Sequence, residues 1–224
     1  MSKKKVFIAI DTNEVSKAKK IIRDTQSNKI KVGYKFGLQF FYSKDGRKFL
    51  SNLKNKTTFL DLKLNDIPNT VSEAMKSLKN LKISYLTVHL SSGLDALKLL
   101  KKESKNIKIV GVTTLTSLND KDLKEIGYNK NVNNLVVHQA KLAKKAKLDA
   151  IVCSGHEIKS VRRVFDKEII TPGIKMKNTK NDQKRSMRPS EAFAAGSDWL
   201  VIGRSITKGN IKKNIQNLLE ILED

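Results

Sequence analysis

The sequence predicts an α/β protein, a single (β/α)8 TIM-type barrel over residues 1–224, and three observations predict it. Apolar, β-branched runs alternate with amphipathic helical stretches along the whole chain, giving about eight βα units. Each run closes in polar or glycine residues, which would stand at a strand's carboxyl end, where such barrels bind ligands. The third run carries charges on one face and leucines on the other. A doubly wound open sheet accommodates the same alternation and is the second reading.

The first run, 6–10, ends at Asp11 and leads into a helical pattern through Val15, Ala18, Ile21 and Ile22. The second, 30–36, carries Lys31 and Gly33 and reaches a short helix near 47–53. The third starts at Phe59. With a period of two, Phe59, Asp61 and Lys63 share one face while Leu60, Leu62 and Leu64 take the other. The leucines require burial, so the opposite face holds an ion pair in a partly enclosed place, where charges are costly unless paired. Asp66 follows the strand, and Pro68 opens a helix with Val71, Ala74, Met75, Leu78 and Leu81 on one side. Asp66 therefore sits in a strand-to-helix loop.

The fourth run, 85–89, closes on Ser91, Ser92 and Gly93, and the fifth, 107–113, on Leu115, Thr116 and Ser117. The sixth is 149–154, and the seventh, 168–171, ends in Pro172 and Gly173. The eighth, 199–202, ends in Gly203 and Arg204, with a last helix through Ile211, Ile215, Leu218, Leu219 and Leu222. One connection, 174–188, breaks the rhythm, being polar, basic and aperiodic. Loops this long in a compact domain are functional or disordered, and a place after the seventh strand, where barrels often hold phosphate, favours function.

Composition narrows the classes. At 39% hydrophobic residues the chain suffices for one sizeable core. A formal charge of +23 favours anionic partners such as phosphates, nucleic acid or acidic lipid, although a proteome-wide bias toward Lys and Asn produces the same excess. Cys153 is the single cysteine and can form no internal disulfide, so the cytoplasm is the default location. The lysines at 3–5 imitate the start of a signal peptide, but the apolar run stops at Asp11. No segment approaches the roughly 20 apolar residues that cross a bilayer, so no membrane partner is expected.

In a barrel, Asp11, Lys31, Asp61 and Lys63 would point into one mouth as an alternating array. A structural salt bridge explains Asp61, Lys63 and Asp66 taken alone. Four charges in one cavity are harder to explain as structure, because apolar residues would fill a barrel interior at least as stably. Gly203, Arg204 and the basic loop offer backbone N–H groups and a guanidinium to a phosphate dianion; a turn glycine beside a surface arginine is the alternative. His89, His138 and His156 show no metal-ligand spacing, and Cys153 reads as a small buried side chain, so no metal is expected. Neither a phosphate-loop motif nor a dinucleotide glycine fingerprint is present, and no cofactor is indicated.

With these residues in hand, the chain resembles the orotidine 5′-monophosphate decarboxylase family over nearly its whole length. The matching segments are Ala9-Ile10-Asp11, Lys31-Val32-Gly33, the stretch 59–70 with Asp61, Lys63, Asp66, Pro68 and Thr70, and 112–117 with Thr116. They continue through Thr171-Pro172-Gly173-Ile174, Asp182-Gln183 and Val201-Ile202-Gly203-Arg204. Asp-x-Lys-x-x-Asp alone is shared with sugar-phosphate decarboxylases and synthases on the same barrel. The continuation Ile67-Pro68-Asn69-Thr70 and the Thr-Pro-Gly-Ile segment are not typical of those.

The resemblance implies conversion of orotidine 5′-monophosphate to uridine 5′-monophosphate and CO2, in de novo pyrimidine biosynthesis, by a homodimer that needs no metal or cofactor. It implies that Lys63 donates the proton, held between Asp61 and Asp66 of the partner subunit, with Lys31 beside Asp61. Asp11 and Lys31 would contact the ribose, Asp66 and Thr70 the ribose bound by the neighbouring subunit, and Thr116 the pyrimidine. Gln183, Gly203 and Arg204 would hold the phosphate. Lys175 stands where the family often has arginine, which keeps the charge and loses bidentate geometry. Ser205 replaces a common proline, and Arg188 stands where a threonine often caps the next helix.

Two other readings stay open at this point. One is a Mg²⁺-dependent sugar-phosphate decarboxylase or synthase of the same superfamily. The other is a basic, non-catalytic nucleic-acid binder, whose rings between Tyr34 and Phe49 would stack bases; helix-to-barrel packing explains the same rings.

Overall fold

The structure, a computed structural model, describes residues 3–176 and 187–223. Eight parallel strands close into a barrel in sequence order: β1 (Lys5–Ile10), β2 (Lys31–Gly37), β3 (Thr57–Leu64), β4 (Tyr85–His89), β5 (Lys108–Val112), β6 (Ala150–Val152), β7 (Glu168–Thr171) and β8 (Trp199–Ile202). β1 pairs with both β2 and β8, so the sheet has no edge and the open doubly wound alternative is ruled out. The strand bounds fall within two residues of those read from the sequence.

Helices cover the outside: α1 (Val15–Asp24), α2 (Leu38–Phe41), α3 (Gly46–Asn52), α4 (Pro68–Lys76), α5 (Gly93–Glu103), α6 (Asp120–Glu125), α7 (Val132–Lys145), α8 (Ile158–Arg162), α9 (Pro189–Ala194), α10 (Arg204–Thr207) and α11 (Ile211–Glu223). Pro68 and Pro189 open α4 and α9, where the missing N–H costs nothing. α1 buries Ala18, Ile21 and Ile22, and α11 buries Ile211, Ile215, Leu218 and Leu219, the stripes their periodicity predicts. Among the described residues, no helix is long and apolar enough to cross a membrane.

Period two sorts the strand side chains into two cores. One face packs outward under the helices, with Val6, Ile8, Ile10, Leu60, Leu86 and Leu200 among its members. Phe36, Phe40 and Phe49 of the aromatic-basic stretch lie in mutual ring contact there, with Phe36 and Phe40 wholly buried. Tyr34 is buried too, its hydroxyl donating to the Ile22 carbonyl. These rings belong to the core and are not offered to stack on bases.

The inward face fills the barrel with Phe7, Ala9, Phe59, Tyr85, Val110, Ala150, Ile170, Trp199 and Val201. Phe7 stacks on Trp199 with ring centroids 4.0 Å apart. Its ring occupies the room beside Gly33, where a Cβ would stand 2.5 Å from Phe7 Cε1. The barrel therefore requires glycine at that point for packing.

A charged cluster closes the amino end of the barrel. Glu168 accepts from Lys108 Nζ (2.9 Å), the Tyr85 hydroxyl (3.0 Å), Trp199 Nε1 (3.4 Å) and Lys5 Nζ (3.5 Å). Burial raises the carboxyl pKa, but hydrogen bonds and charge from Lys108, Tyr85 and Lys5 more than offset it and hold Glu168 below the usual range. Burial first, and the Glu168 charge second, push Tyr85 up to about 12.

Because folding lowers the Glu168 pKa, its stabilisation is fully present above the unfolded-state value and is lost as pH falls through the folded-state value. Glu168→Ala removes the shared acceptor of four donors, of which the Lys5 and Lys108 ammonium groups stay within reach of water, and should cost about 1–3 kcal/mol at pH 7, read by urea unfolding. The gap to the unmodified protein should close on acidification. A gap that stays constant down to strongly acidic pH contradicts this role.

Candidate active site

At the other end of the barrel, where the strands deliver their carboxyl termini, the inward positions turn from apolar to charged. Asp61 lies two residues beyond Phe59, and its carboxylate sits between two ammonium groups. Its Oδ2 is 3.3 Å from Lys35 Nζ, and its Oδ1 accepts from Lys63 Nζ at 2.9 Å. Lys35 also reaches Asp11 Oδ1 at 3.7 Å, so the order around the mouth is Asp11, Lys35, Asp61, Lys63. The side chains of Asp61 and Lys35 are 13% and 14% exposed, which makes Asp61 nearly as enclosed as a core residue.

Burial raises the pKa of Asp61, yet the charges of Lys35 and Lys63 and their hydrogen bonds prevail and hold it below the usual range. The carboxylate is ionised at neutral pH. His89, at the end of β4, is pushed down by burial and then by the charge of Lys63, with Asp61 opposing. Its imidazole is neutral at pH 7, so it adds no positive charge beside Lys63.

These groups line a cavity of about 740 Å³. Ala9, Phe59, Val112, Val152 and Val201 form its apolar floor. One wall holds Thr114, Leu115 and Thr116 after β5, where the Thr114 amide and hydroxyl both donate to Gln139 Oε1 of α7. The opposite rim is basic, with Lys175, Gly203, Arg204, Ser205 and Lys208. α10 begins at Arg204, directly after Gly203, so the first-turn amides of a helix start at the rim. A Cβ on Gly203 would stand 3.5 Å from Ala9 Cβ and 3.6 Å from Asp11 Oδ2. Glycine there keeps open the space between the rim and the array.

Gly173 adopts φ +77°, a backbone conformation suited to glycine, at the foot of the long connection. The two feet are tied together: the Lys175 amide donates to the Met187 carbonyl, and the Met187 amide to the Gly173 carbonyl. Residues 177–186 of that loop, and with them the expected phosphate ligand Gln183, lie outside the described residues.

The cavity thus gathers Asp11, Asp61, Lys63, Thr116, Lys175, Gly203 and Arg204 from the residues singled out by sequence. Lys31 is a correction. It begins β2, paired with Lys5, and its Nζ lies 5.8 Å from the Trp199 ring at the amino end of the barrel. Lys35 occupies the place expected for it. The sequence contains the same Lys-x-Gly pattern twice, Lys31-Val32-Gly33 and Lys35-Phe36-Gly37. All four positions face inward, so periodicity alone cannot choose between them. Lys31 and Lys35 differ in depth by about 13 Å, at roughly 3.3 Å per residue. The signal that separates them is proximity to the strand's carboxyl end.

Asp66 and Thr70 are exposed and absent from the lining of the cavity. Asp66 Oδ1 accepts from the Ile67 amide at 2.7 Å. A residue that sequence reasoning passed over is Thr87, whose hydroxyl contacts both Asp61 and the backbone of Lys63. Cys153 is buried, and burial followed by the Glu157 charge pushes its thiol up, away from nucleophilic use. No group of three or more His, Cys, Asp or Glu among the described residues is arranged to hold a metal ion.

A closed eight-stranded barrel whose cavity at the carboxyl ends of the strands is lined by an alternating array of charged side chains is of the barrel-enzyme class. Comparison with known proteins narrows the class. The profile of the orotidine 5′-phosphate decarboxylase / HUMPS family matches residues 4–215. Orotidine 5′-phosphate decarboxylase of Wolbachia pipientis subsp. Culex pipiens is 40% identical over 227 residues, covering 98% of this chain and 99% of that protein. The enzyme of the same name from Ehrlichia chaffeensis is 40% identical over 209 residues, 90% of this chain and 89% of that one. The crystal structure of orotidine 5′-phosphate decarboxylase from Lactobacillus acidophilus superposes with a TM-score of 0.85 at 28% identity, covering 99% of this chain and all of that one. The chain belongs to the orotidine 5′-phosphate decarboxylase / HUMPS family.

Proposed function

We propose that the chain is a carboxy-lyase that converts orotidine 5′-monophosphate to uridine 5′-monophosphate and CO2, a step of de novo pyrimidine biosynthesis. The observation that carries this reading is the Asp61 carboxylate held between Lys35 and Lys63 at the mouth of the barrel. The names of the relatives support the substrate, and the basic rim at Lys175 and Arg204 supports its 5′-phosphate. We assign the enzyme to the cytoplasm, which the lone, buried, free Cys153 supports.

Loss of CO2 from C6 of the pyrimidine leaves an electron pair in the ring plane, where the π system cannot delocalise it. Preorganised positive charge must therefore stabilise it. Lys63 supplies that charge, and the same ammonium then delivers its proton to C6. Asp61 orients Lys63, while Lys35 shares the carboxylate and keeps it ionised. Asp11 and Lys35 serve the ribose, Thr116 the pyrimidine, and Gly203 and Arg204 the phosphate, with Lys175 beside them and Gln183 completing the set from the loop. Since Lys63 provides the positive charge, turnover needs no metal ion.

Each site is completed by a second copy of the chain. Asp66 and Thr70 are exposed and do not line their own cavity, and Ile67 between them is 66% exposed, as suits residues that enter a neighbour's site. Leu38, just after β2, is a further exposed apolar side chain at the carboxyl end of an adjacent strand. Asp66 of the partner subunit would thus flank Lys63 on the side away from Asp61.

Turnover of orotidine 5′-monophosphate is followed by loss of its ultraviolet absorbance, in EDTA throughout. The protein should turn over, whereas Lys63→Ala and Asp66→Ala chains should each be nearly inactive. Mixing the two under conditions of subunit exchange makes about half the dimers mixed, and roughly a quarter of all sites regain every group. No turnover by the unmodified protein unless Mg²⁺ is added would favour a sugar-phosphate enzyme. Failure of the mixture to recover would mean that Asp66 serves its own chain.

The two lysines of the repeated pattern separate in the same assay. Lys35→Ala should lower turnover by at least about a hundredfold, and Lys31→Ala by less than about threefold. Equal losses, or a larger loss for Lys31→Ala, would overturn the assignment of Lys35 to the site.

A further inference from the structure

Strand β3 does not run regularly past Asp61. Its pairing with β4 runs Phe59 with Tyr85, Leu60 with Leu86, and then Leu64 with Val88. Four steps along β3 thus match two along β4, a bulge in which extra residues leave the ladder. Lys63 lies in that bulge with φ +51°, the left-handed region that side-chain-bearing residues avoid. Such a conformation persists only where its surroundings fix it.

The fixing group is one hydroxyl. The Lys63 amide donates to Thr87 Oγ1 at 2.7 Å, and Thr87 Oγ1 donates to Asp61 Oδ1 at 3.2 Å. The direction is forced, because the amide can only donate and the ionised carboxylate can only accept. Lys63 Nζ then closes a ring of contacts by donating to the same Asp61 oxygen at 2.9 Å. Thr87 is wholly buried, so water cannot replace its hydroxyl for either partner.

We infer that Thr87 is a positioning residue for decarboxylation: its single hydroxyl sets both the strained backbone that aims Lys63 and the carboxylate that pairs with it. A bulge and a left-handed lysine would otherwise leave the ammonium free to swing. The hydroxyl ties root and partner of the ammonium to one rigid strand, and sub-ångström placement is what this chemistry depends on. The inference rests on the reading of Lys63 as proton donor.

Thr87→Val keeps the shape and removes the hydroxyl, whereas Thr87→Ser keeps the hydroxyl. Thr87→Val should lower kcat by about 10–100-fold while the Kd for uridine 5′-monophosphate changes by less than about threefold. Thr87→Ser should stay within about threefold of the unmodified protein in both. Should Thr87→Val fail to fold, Thr87→Cys, a weak hydrogen bonder of similar size, takes its place in the comparison. Unchanged kcat in Thr87→Val, an equal loss in Thr87→Ser, or a fall in product affinity as large as that in kcat would each overturn the inference. Lys63→Ala measured alongside separates the two levels. If it keeps full turnover, the reading of Lys63 fails; if it is inactive while Thr87→Val is normal, that reading stands and the role of Thr87 falls.

Discussion

A carboxylate enclosed between two ammonium groups is the interaction on which the rest of this site depends. Asp61 is 13% exposed, and burial alone would push its carboxyl pKa up and disfavour the charged form. Lys35 and Lys63 keep it charged, and it in turn keeps two cations close together in a narrow mouth where they would repel each other. Removing Asp61 would leave two ammonium groups facing each other across a narrow mouth, and removing either lysine would leave the carboxylate with a single cationic partner. Apolar side chains could fill the same volume without that exposure to loss. The cost is explained by chemistry that needs fixed positive charge.

The barrel is arranged to hold this array rigidly. Its floor is a layer of rings, with Phe7 stacked on Trp199 and flanked by Phe59 and Tyr85, and small residues leave room where room is needed. Gly33 admits the Phe7 ring, and Gly203 keeps the space beside Asp11 open. Beneath the rings, Glu168 gathers Lys5, Lys108, Tyr85 and Trp199 at the amino end. The two ends of the barrel thus carry charge clusters of opposite logic. At the amino end four donors surround one acidic group, and at the carboxyl end acidic and basic groups alternate around a cavity.

Much of this was legible in the sequence. The alternation of apolar runs with amphipathic stretches gave all eight strands, because period two and period 3.6 are imposed by backbone geometry. The charged face of 59–64 and the glycine-arginine end of the eighth strand pointed to the mouth. The depth of a lysine inside the barrel was not legible. Lys31 and Lys35 share pattern and face, and the register of Lys35 with Phe59 and of Gly37 with Asp61, a property of two strands together, decides which one meets Asp61. Thr87 was hidden for a related reason: between Leu86 and Val88 it reads as an ordinary β-branched strand residue. Only the bulge in β3 shows that its hydroxyl has two partners. The bulge itself has no sequence mark, since Asp61-Leu62-Lys63-Leu64 fits a regular strand as well.

The most direct test is the titration of Asp61 itself, by carbon NMR of its carboxyl in protein labelled at aspartate, with the resonance assigned by Asp61→Asn. The carboxyl should titrate below the usual aspartate range, and Lys35→Met should move its midpoint upward while Lys31→Met leaves it in place. A midpoint in the ordinary range, or one that responds to Lys31 and not to Lys35, would contradict the array on which this account rests.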